Sequence, residues 1–178
     1  MNGEGNVSES PQQSFEKFLN QSLRDAWISS FTWRTAVTSA ELKSQMGALP
    51  RGYSRTHKTG PAGVLWALDV QSTAGQVVGV DLELINRERP IMQNPQWLAE
   101  RFQLTPENYT SQTLLEEWVS REAVFKALSP NNAHLMLSSF HKFDESTYGI
   151  IDDPEGRRVE VRVAWTRDWV LALARRFV

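Results

Sequence analysis

Two short stretches of this 178-residue sequence carry residue types that could do chemistry together. In "GVDLELINRERP", residues 79–90, Asp81 and Glu83 stand two places apart inside a run that otherwise reads as a buried strand, so both carboxylates fall on one face of it. In "WVSREAVFK", residues 118–126, Trp118, Glu122 and Lys126 follow at i, i+4 and i+8 with Phe125 beside them, a stripe that should point inward from a helix. Each stretch alone has an ordinary explanation. Asp81 and Glu83 would lie on a solvated strand face bridged to Arg87 or Arg89, and Glu122 and Lys126 would form an intrahelical pair worth about 0.2–0.5 kcal/mol. Together they supply three carboxylates and a lysine. A hard divalent cation such as Mg²⁺ takes oxygen ligands from a few carboxylates plus a substrate phosphate. With Lys126 facing that phosphate, the combination suits phosphoryl-type transfer, in which positioning and charge neutralisation do most of the catalysis.

Elements must hold these groups in place. Residues 1–11 are rich in Gly, Ser, Asn and Glu without periodicity and read as a disordered lead-in. Phe15, Phe18, Leu19, Leu23 and Trp27 recur at helical spacing behind a capping-type Ser14, which predicts a helix to about Ser29. "TSAELKSQMGALP" predicts a short second helix ended by Gly47 and Pro50, so residues 12–62 are expected to form a short, mainly helical N-terminal lobe. "GVLWALDV" and "QVVGVDLELI", joined by the turn-forming "QSTAG", read as two strands of a hairpin. Asn94 and Pro95 open a helix over "QWLAERF", "LTPENY" is a turn, and "SQTLLEEWVSREAVFKAL" is a long helix closed by Ser129 and Pro130. The remainder, "AHLMLSSFHKF", "YGIID", "RRVEVRVAW" and "WVLALARRF", reads as strands of an antiparallel sheet. Helices do not alternate with strands, so the fold class is α+β, an antiparallel sheet packed against a long helix over residues 63–178.

Composition sets limits. Net charge is −2, without the basic face of a sequence-independent nucleic-acid binder, so no nucleic-acid partner is expected. There is no cysteine, which removes disulfides and thiolate zinc sites and points to a reducing, cytoplasmic setting. No stretch approaches the roughly 20 apolar residues of a membrane helix, and the polar start lacks the pattern of a signal peptide, so no membrane partner is expected either. Most of the seven tryptophans fall in apolar surroundings that suit core packing.

"GVDLE" followed by "WVSREAVFK" resembles the two signatures of the 4′-phosphopantetheinyl transferase superfamily, Gly-hydrophobic-Asp-x-Glu and Trp-x-x-Lys/Arg-Glu-Ala/Ser-x-x-Lys. Between them "AERFQLTPE", residues 99–107, is similar to the family's Ala-x-Arg-Phe segment, and "SRTHKTG" ahead of them resembles its Ser-His-Ser-Gly stretch. The resemblance covers about residues 54–178 and implies a transferase-like fold there. It implies that Asp81, Glu83 and Glu122 hold Mg²⁺ against the diphosphate of coenzyme A, that Lys126 pairs with the same phosphates, and that Trp118 orients the helix. His57 would contact a phosphate of coenzyme A, helped by Arg55 and Lys58, and Arg87 would face a carrier protein. The implied reaction moves 4′-phosphopantetheine from coenzyme A to a serine of an acyl or peptidyl carrier protein, releasing adenosine 3′,5′-bisphosphate. Glu122 or a metal-bound water would be the base.

The chain also departs from the pattern. Glu83 and the His57 segment resemble the longer, surfactin-type form made of two similar halves, yet the N-terminal part is short and has no counterpart of that form's Gly-Lys-Pro motif. Thr56 stands where a serine usually precedes the histidine, and Arg121 stands where lysine is commoner. The compact form assembles as trimers, so both a monomer and a homo-oligomer fit. Two other readings stand beside the transferase: a non-catalytic module that kept the fold to grip coenzyme A or a carrier protein, and an unrelated α+β domain with chance matches.

Overall fold

A computed structural model of the chain describes residues 11–23, 27–60, 63–85, 93–105, 109–128, 137–150 and 155–177. In chain order its elements are α1 (Pro11–Leu23), β1 (Ile28–Ala36), α2 (Ser39–Met46), β2 (Tyr53–Thr59), β3 (Leu65–Ser72), β4 (Gln76–Leu84), α3 (Pro95–Arg101), α4 (Ser111–Leu128), a 3-10 turn at Leu137–Ser139, β5 (Phe140–Lys142), β6 (Thr147–Ile150), β7 (Arg158–Trp165) and β8 (Trp169–Phe177). Two antiparallel sheets result, one in the order β1-β3-β2 and one in the order β4-β8-β7-β6-β5. The class is α+β.

Strand alternation sorts β4 between two cores. Val78, Val80 and Leu82 join Leu171 and Leu173 of β8, Trp66, Leu68 and Val70 of β3, and the buried face of α1. The opposite face of the five-stranded sheet carries Val161, Val170, Ala172 and Ala174, on which α4 lays Val119, Ala123, Val124 and Ala127. Small side chains let α4 approach closely, and Gly79 is where the approach is tightest. A Cβ built there would stand 1.9 Å from Ala123 O and 2.7 Å from Ala127 N, so only glycine fits beneath the helix. The glycine that heads "GVDLE" therefore seats the helix that carries Glu122 and Lys126.

Several expectations hold at the level of single residues. The long helix spans the predicted Ser111–Leu128, although its expected closing residues Ser129 and Pro130 lie outside the described residues. Asn94 caps α3 by accepting from Trp97 N–H, with Pro95 in the first turn. Helix α2 starts at the Thr38 cap and ends at Gly47, whose φ is +58°.

Others need correction. The helix expected from behind Ser14 to Ser29 is described over Pro11–Leu23, and Ile28 and Ser29 already belong to strand β1. Trp27 had extended the helical spacing; it packs into the same apolar core as Phe15, Leu19 and Leu23 without belonging to the helix, and the guanidinium groups of Arg162 and Arg175 lie 4.5 and 4.4 Å from its ring. With β1 and β2 both strands, residues 12–62 are a mixture rather than mainly helical, and their sheet takes its central strand β3 from beyond residue 62. The expected hairpin also fails. β3 pairs with β1 and β2, whereas β4 pairs with β8, so "QSTAG" links two sheets rather than two partners. Of the expected lead-in, residues 1–10 lie outside the described residues and Pro11 opens α1. Trp66, Trp27 and Trp169 are core residues as expected, while Trp97 is 47% exposed.

A candidate acid and lysine site where the sheets meet

β2 and β4 are edge strands of different sheets that run side by side, joined through side chains rather than a backbone ladder. Along β2 the alternation places Ser54, Thr56 and Lys58 on the side toward β4. Val80 N–H donates to Ser54 Oγ at 3.0 Å, Thr56 Oγ1 donates to Asp81 Oδ1 at 2.9 Å, and Lys58 Nζ lies 2.8 Å from Glu83 Oε1 and 3.9 Å from Asp81 Oδ1. From the opposite side α4 brings Lys126, whose ammonium donates at 2.8 Å both to Val80 O and to Asp81 Oδ1. Ser54 and Lys126 thereby satisfy the backbone N–H and C=O that edge strand β4 turns away from β8.

The two segments singled out in the sequence thus meet in space. Asp81 and Glu83 are 1% and 2% exposed. Glu83 is steered by Trp118, whose indole N–H donates to Glu83 Oε1 at 3.2 Å, so this tryptophan orients an acid as well as packing the helix. Lys126 reaches across to β4 instead of serving mainly as an intrahelical partner of Glu122. Burial and the nearby Asp81 and Glu83 carboxylates raise the pKa of Glu122, against the opposing pull of Lys126 and Lys58. Burial works to lower the pKa of Lys58, but Asp81 and Glu83 outweigh it and the net shift is upward.

One atom in this cluster lacks a partner. Asp81 Oδ1 accepts from Thr56 and Lys126, but Oδ2 is buried and receives no hydrogen bond. A buried carboxylate oxygen left bare is costly. The donors Asp81, Glu83 and Glu122 match the hard-oxygen chemistry of Mg²⁺. Among the described residues, however, no three His, Asp or Glu side chains converge as a ready-made metal site. The set supplies the donor types that such an ion takes, but Lys58 and Lys126 already pair with Glu83 and Asp81.

The other expected residues separate. Arg55 is committed to structure: it donates to both oxygens of Asp69, and to the carbonyls of Met46 and Gly47 at the C-terminus of α2. Arg34 completes that ion triad from β1, and together the two arginines hold the pKa of Asp69 down against the opposing effect of its burial. His57 is exposed; burial of its ring and the neighbouring Lys58, Lys126 and Arg55 charges lower its pKa. Arg87 and Arg89 lie outside the described residues. A cavity of about 530 Å³ opens at the Lys126 end, lined by Arg51, Tyr53, Ser54, Arg55, Val78 and Lys126 among others. The sequence reading missed Arg51, Ser54 and the acid-facing role of Thr56. The alternation of Ser54, Thr56 and Lys58 was visible, but nothing local said which strand would face it.

No protein-family model matches the chain, and no curated protein matches it significantly.

Proposed function

We propose that the chain is a Mg²⁺-dependent 4′-phosphopantetheinyl transferase with the fold of that superfamily, acting in the cytoplasm on an acyl or peptidyl carrier protein. The observation that carries this reading is that Lys126 of α4 meets Asp81 of β4 at 2.8 Å, on the helix whose Glu122 feels the Asp81 and Glu83 carboxylates, while the second oxygen of Asp81 is buried and unpartnered. Asp81, Glu83 and Glu122 would hold the ion, which when bound would neutralise charge on the diphosphate of coenzyme A. Lys126, anchored on Val80 O and Asp81, presents a fixed positive charge beside the phosphates. The cavity flanked by Arg51, Arg55 and Lys126 suits the polyanionic nucleotide end of that substrate, and the exposed His57 would contact one of its phosphates. Arg55 contributes its field there while staying bound to Asp69.

In the reaction the serine hydroxyl oxygen bonds to the phosphorus that carries pantetheine. The bond from that phosphorus to the bridging oxygen breaks, and adenosine 3′,5′-bisphosphate leaves with the electron pair. Glu122 accepts the serine proton, because its raised pKa and partial exposure suit it to the task better than the fully buried Asp81 and Glu83. Trp118 and Thr56 act as positioning residues, each holding one carboxylate through a single donated hydrogen bond.

A second reading, a non-catalytic module that grips coenzyme A or a carrier protein, is favoured by one observation: Lys58 and Lys126 already compensate the two buried acids without an ion. Incubating the protein with coenzyme A, Mg²⁺ and a panel of apo carrier proteins, with intact-mass readout, separates the two. A phosphopantetheine adduct that EDTA abolishes is the outcome expected of the transferase; calorimetric binding of coenzyme A or carrier without any adduct is that of the module.

A further inference from the structure

We propose that a second cavity, at the N-terminal end of α4, takes the acyl group of an acyl-coenzyme A, so that the protein binds acylated coenzyme A in preference to the free thiol. This deepens the transferase reading and rests on its placing of coenzyme A. The cavity measures about 490 Å³ and is lined by Ile85, Ser111, Gln112, Leu115, Trp165 and Thr166. Small-ligand clefts usually fall between about 300 and 1,000 Å³. Its walls are apolar: Leu115 belongs to the core beneath α4, and Ile85 and Trp165 pack against that core. Ser111 and Gln112 are exposed and form a polar rim. The hydroxyl of Thr166 is spent inside the turn between β7 and β8, where it accepts from the N–H groups of Asp168 and Trp169. None of the six residues is charged. Such a lining gives a phosphate nothing to pair with and suits an uncharged chain.

The order of groups along α4 tells which chain can reach it. Ser111, Leu115, Trp118, Glu122 and Lys126 follow one another at steps of three and four residues, which puts them on one face of the helix. That face runs beside β4, where Lys126 meets Asp81 and Trp118 meets Glu83, and Ile85 follows two residues on. From Leu115 to Lys126 the helix rises about 16 Å. From Asp81 to Ile85 the chain advances about 13 Å. A pantetheine arm is a peptide-like chain of about four residue lengths, roughly 14 Å when extended. With its diphosphate at Lys126, coenzyme A therefore carries its sulfur to Ile85 and Leu115, and a thioester acyl group continues into the cavity. The half-buried Glu122 and Trp118 lie along the way.

The test is calorimetric titration of the protein with coenzyme A and with acetyl-, butanoyl- and octanoyl-coenzyme A, in Mg²⁺ buffer without carrier protein. Affinity should rise along the series, and octanoyl-coenzyme A should bind at least about tenfold more tightly than coenzyme A, because each added methylene leaves water. Gln112→Trp changes an exposed position and fills the mouth of the cavity. Octanoyl-coenzyme A should then lose its advantage over coenzyme A. Equal affinities across the series in the unaltered protein, or a preference that survives Gln112→Trp, would overturn the acyl site while leaving coenzyme A binding in place. Absence of binding by every member of the series would overturn the coenzyme A site itself and the acyl site with it.

Discussion

Thr56 on β2 donates its hydroxyl hydrogen to Asp81 Oδ1 on β4 across 2.9 Å, and this bond ties the small N-terminal sheet to the acid cluster of the larger one. Both residues are buried, at 2% and 1% exposure, so the bond is shielded from water. It makes the first sheet part of the site rather than an appendage. Thr56→Val keeps the shape and removes the donor. It should cost about 1 kcal/mol of stability by denaturant unfolding and about tenfold or more in phosphopantetheine transfer. Thr56→Ser should restore transfer to near the original rate; equal loss in both variants would mean that shape, and not the hydrogen bond, is what matters.

Gly79 tests whether helix seating controls the site. A side chain there must displace α4, because its first carbon would overlap Ala123 O. Gly79→Ala is expected to destabilise the protein by about 3 kcal/mol or more and to abolish transfer, since Glu122 and Lys126 ride on the displaced helix. Thermal unfolding and the intact-mass assay read both effects. A variant with unchanged midpoint would contradict the close approach.

Glu122 links pH to stability with a definite sign. Its folded pKa is raised, chiefly by burial and next by Asp81. Between the ordinary glutamate value and the raised one, the folded state keeps a proton that the unfolded state has lost, so this group's contribution to stability grows as pH falls through that window. Above the window the charged Glu122 destabilises the fold. In EDTA at pH 7, Glu122→Gln should therefore raise Tm by roughly 2–4 °C, the shift that about 1 kcal/mol gives a chain of this size. The gain should shrink as pH falls, and transfer should be lost although the protein is more stable. A variant less stable at neutral pH would refute the assignment of a charge held in place for function.

Much of this was legible in the sequence wherever the signal was local. The apolar stripe and the flanking turn residues gave α4 its limits, Asn94 and Pro95 gave α3 its start, and the alternation along "GVDLE" put Asp81 and Glu83 on one face. What was not legible depended on partners distant in sequence. "QSTAG" suits a hairpin as well as it suits a crossing between sheets, and only the pairing of β4 with β8 decides between them. Trp27 sits four residues after Leu23 and shares its core, so it imitates a helical position, though it lies outside the helix and is flanked by two arginines on β7 and β8. Lys58 and Arg55 read alike as phosphate ligands. The structure divides them because neighbouring residues of a strand face opposite ways: Lys58 meets Glu83, while Arg55 meets Asp69.

If segments 79–83 and 118–126 form one reaction centre, transfer needs both of them intact. The most direct measurement compares the unaltered protein, Asp81→Asn and Lys126→Ala in the intact-mass assay with coenzyme A, Mg²⁺ and an apo carrier protein, after circular dichroism has shown all three folded. A phosphopantetheine adduct is expected from the unaltered protein alone. An adduct formed at an undiminished rate by either folded variant would contradict it.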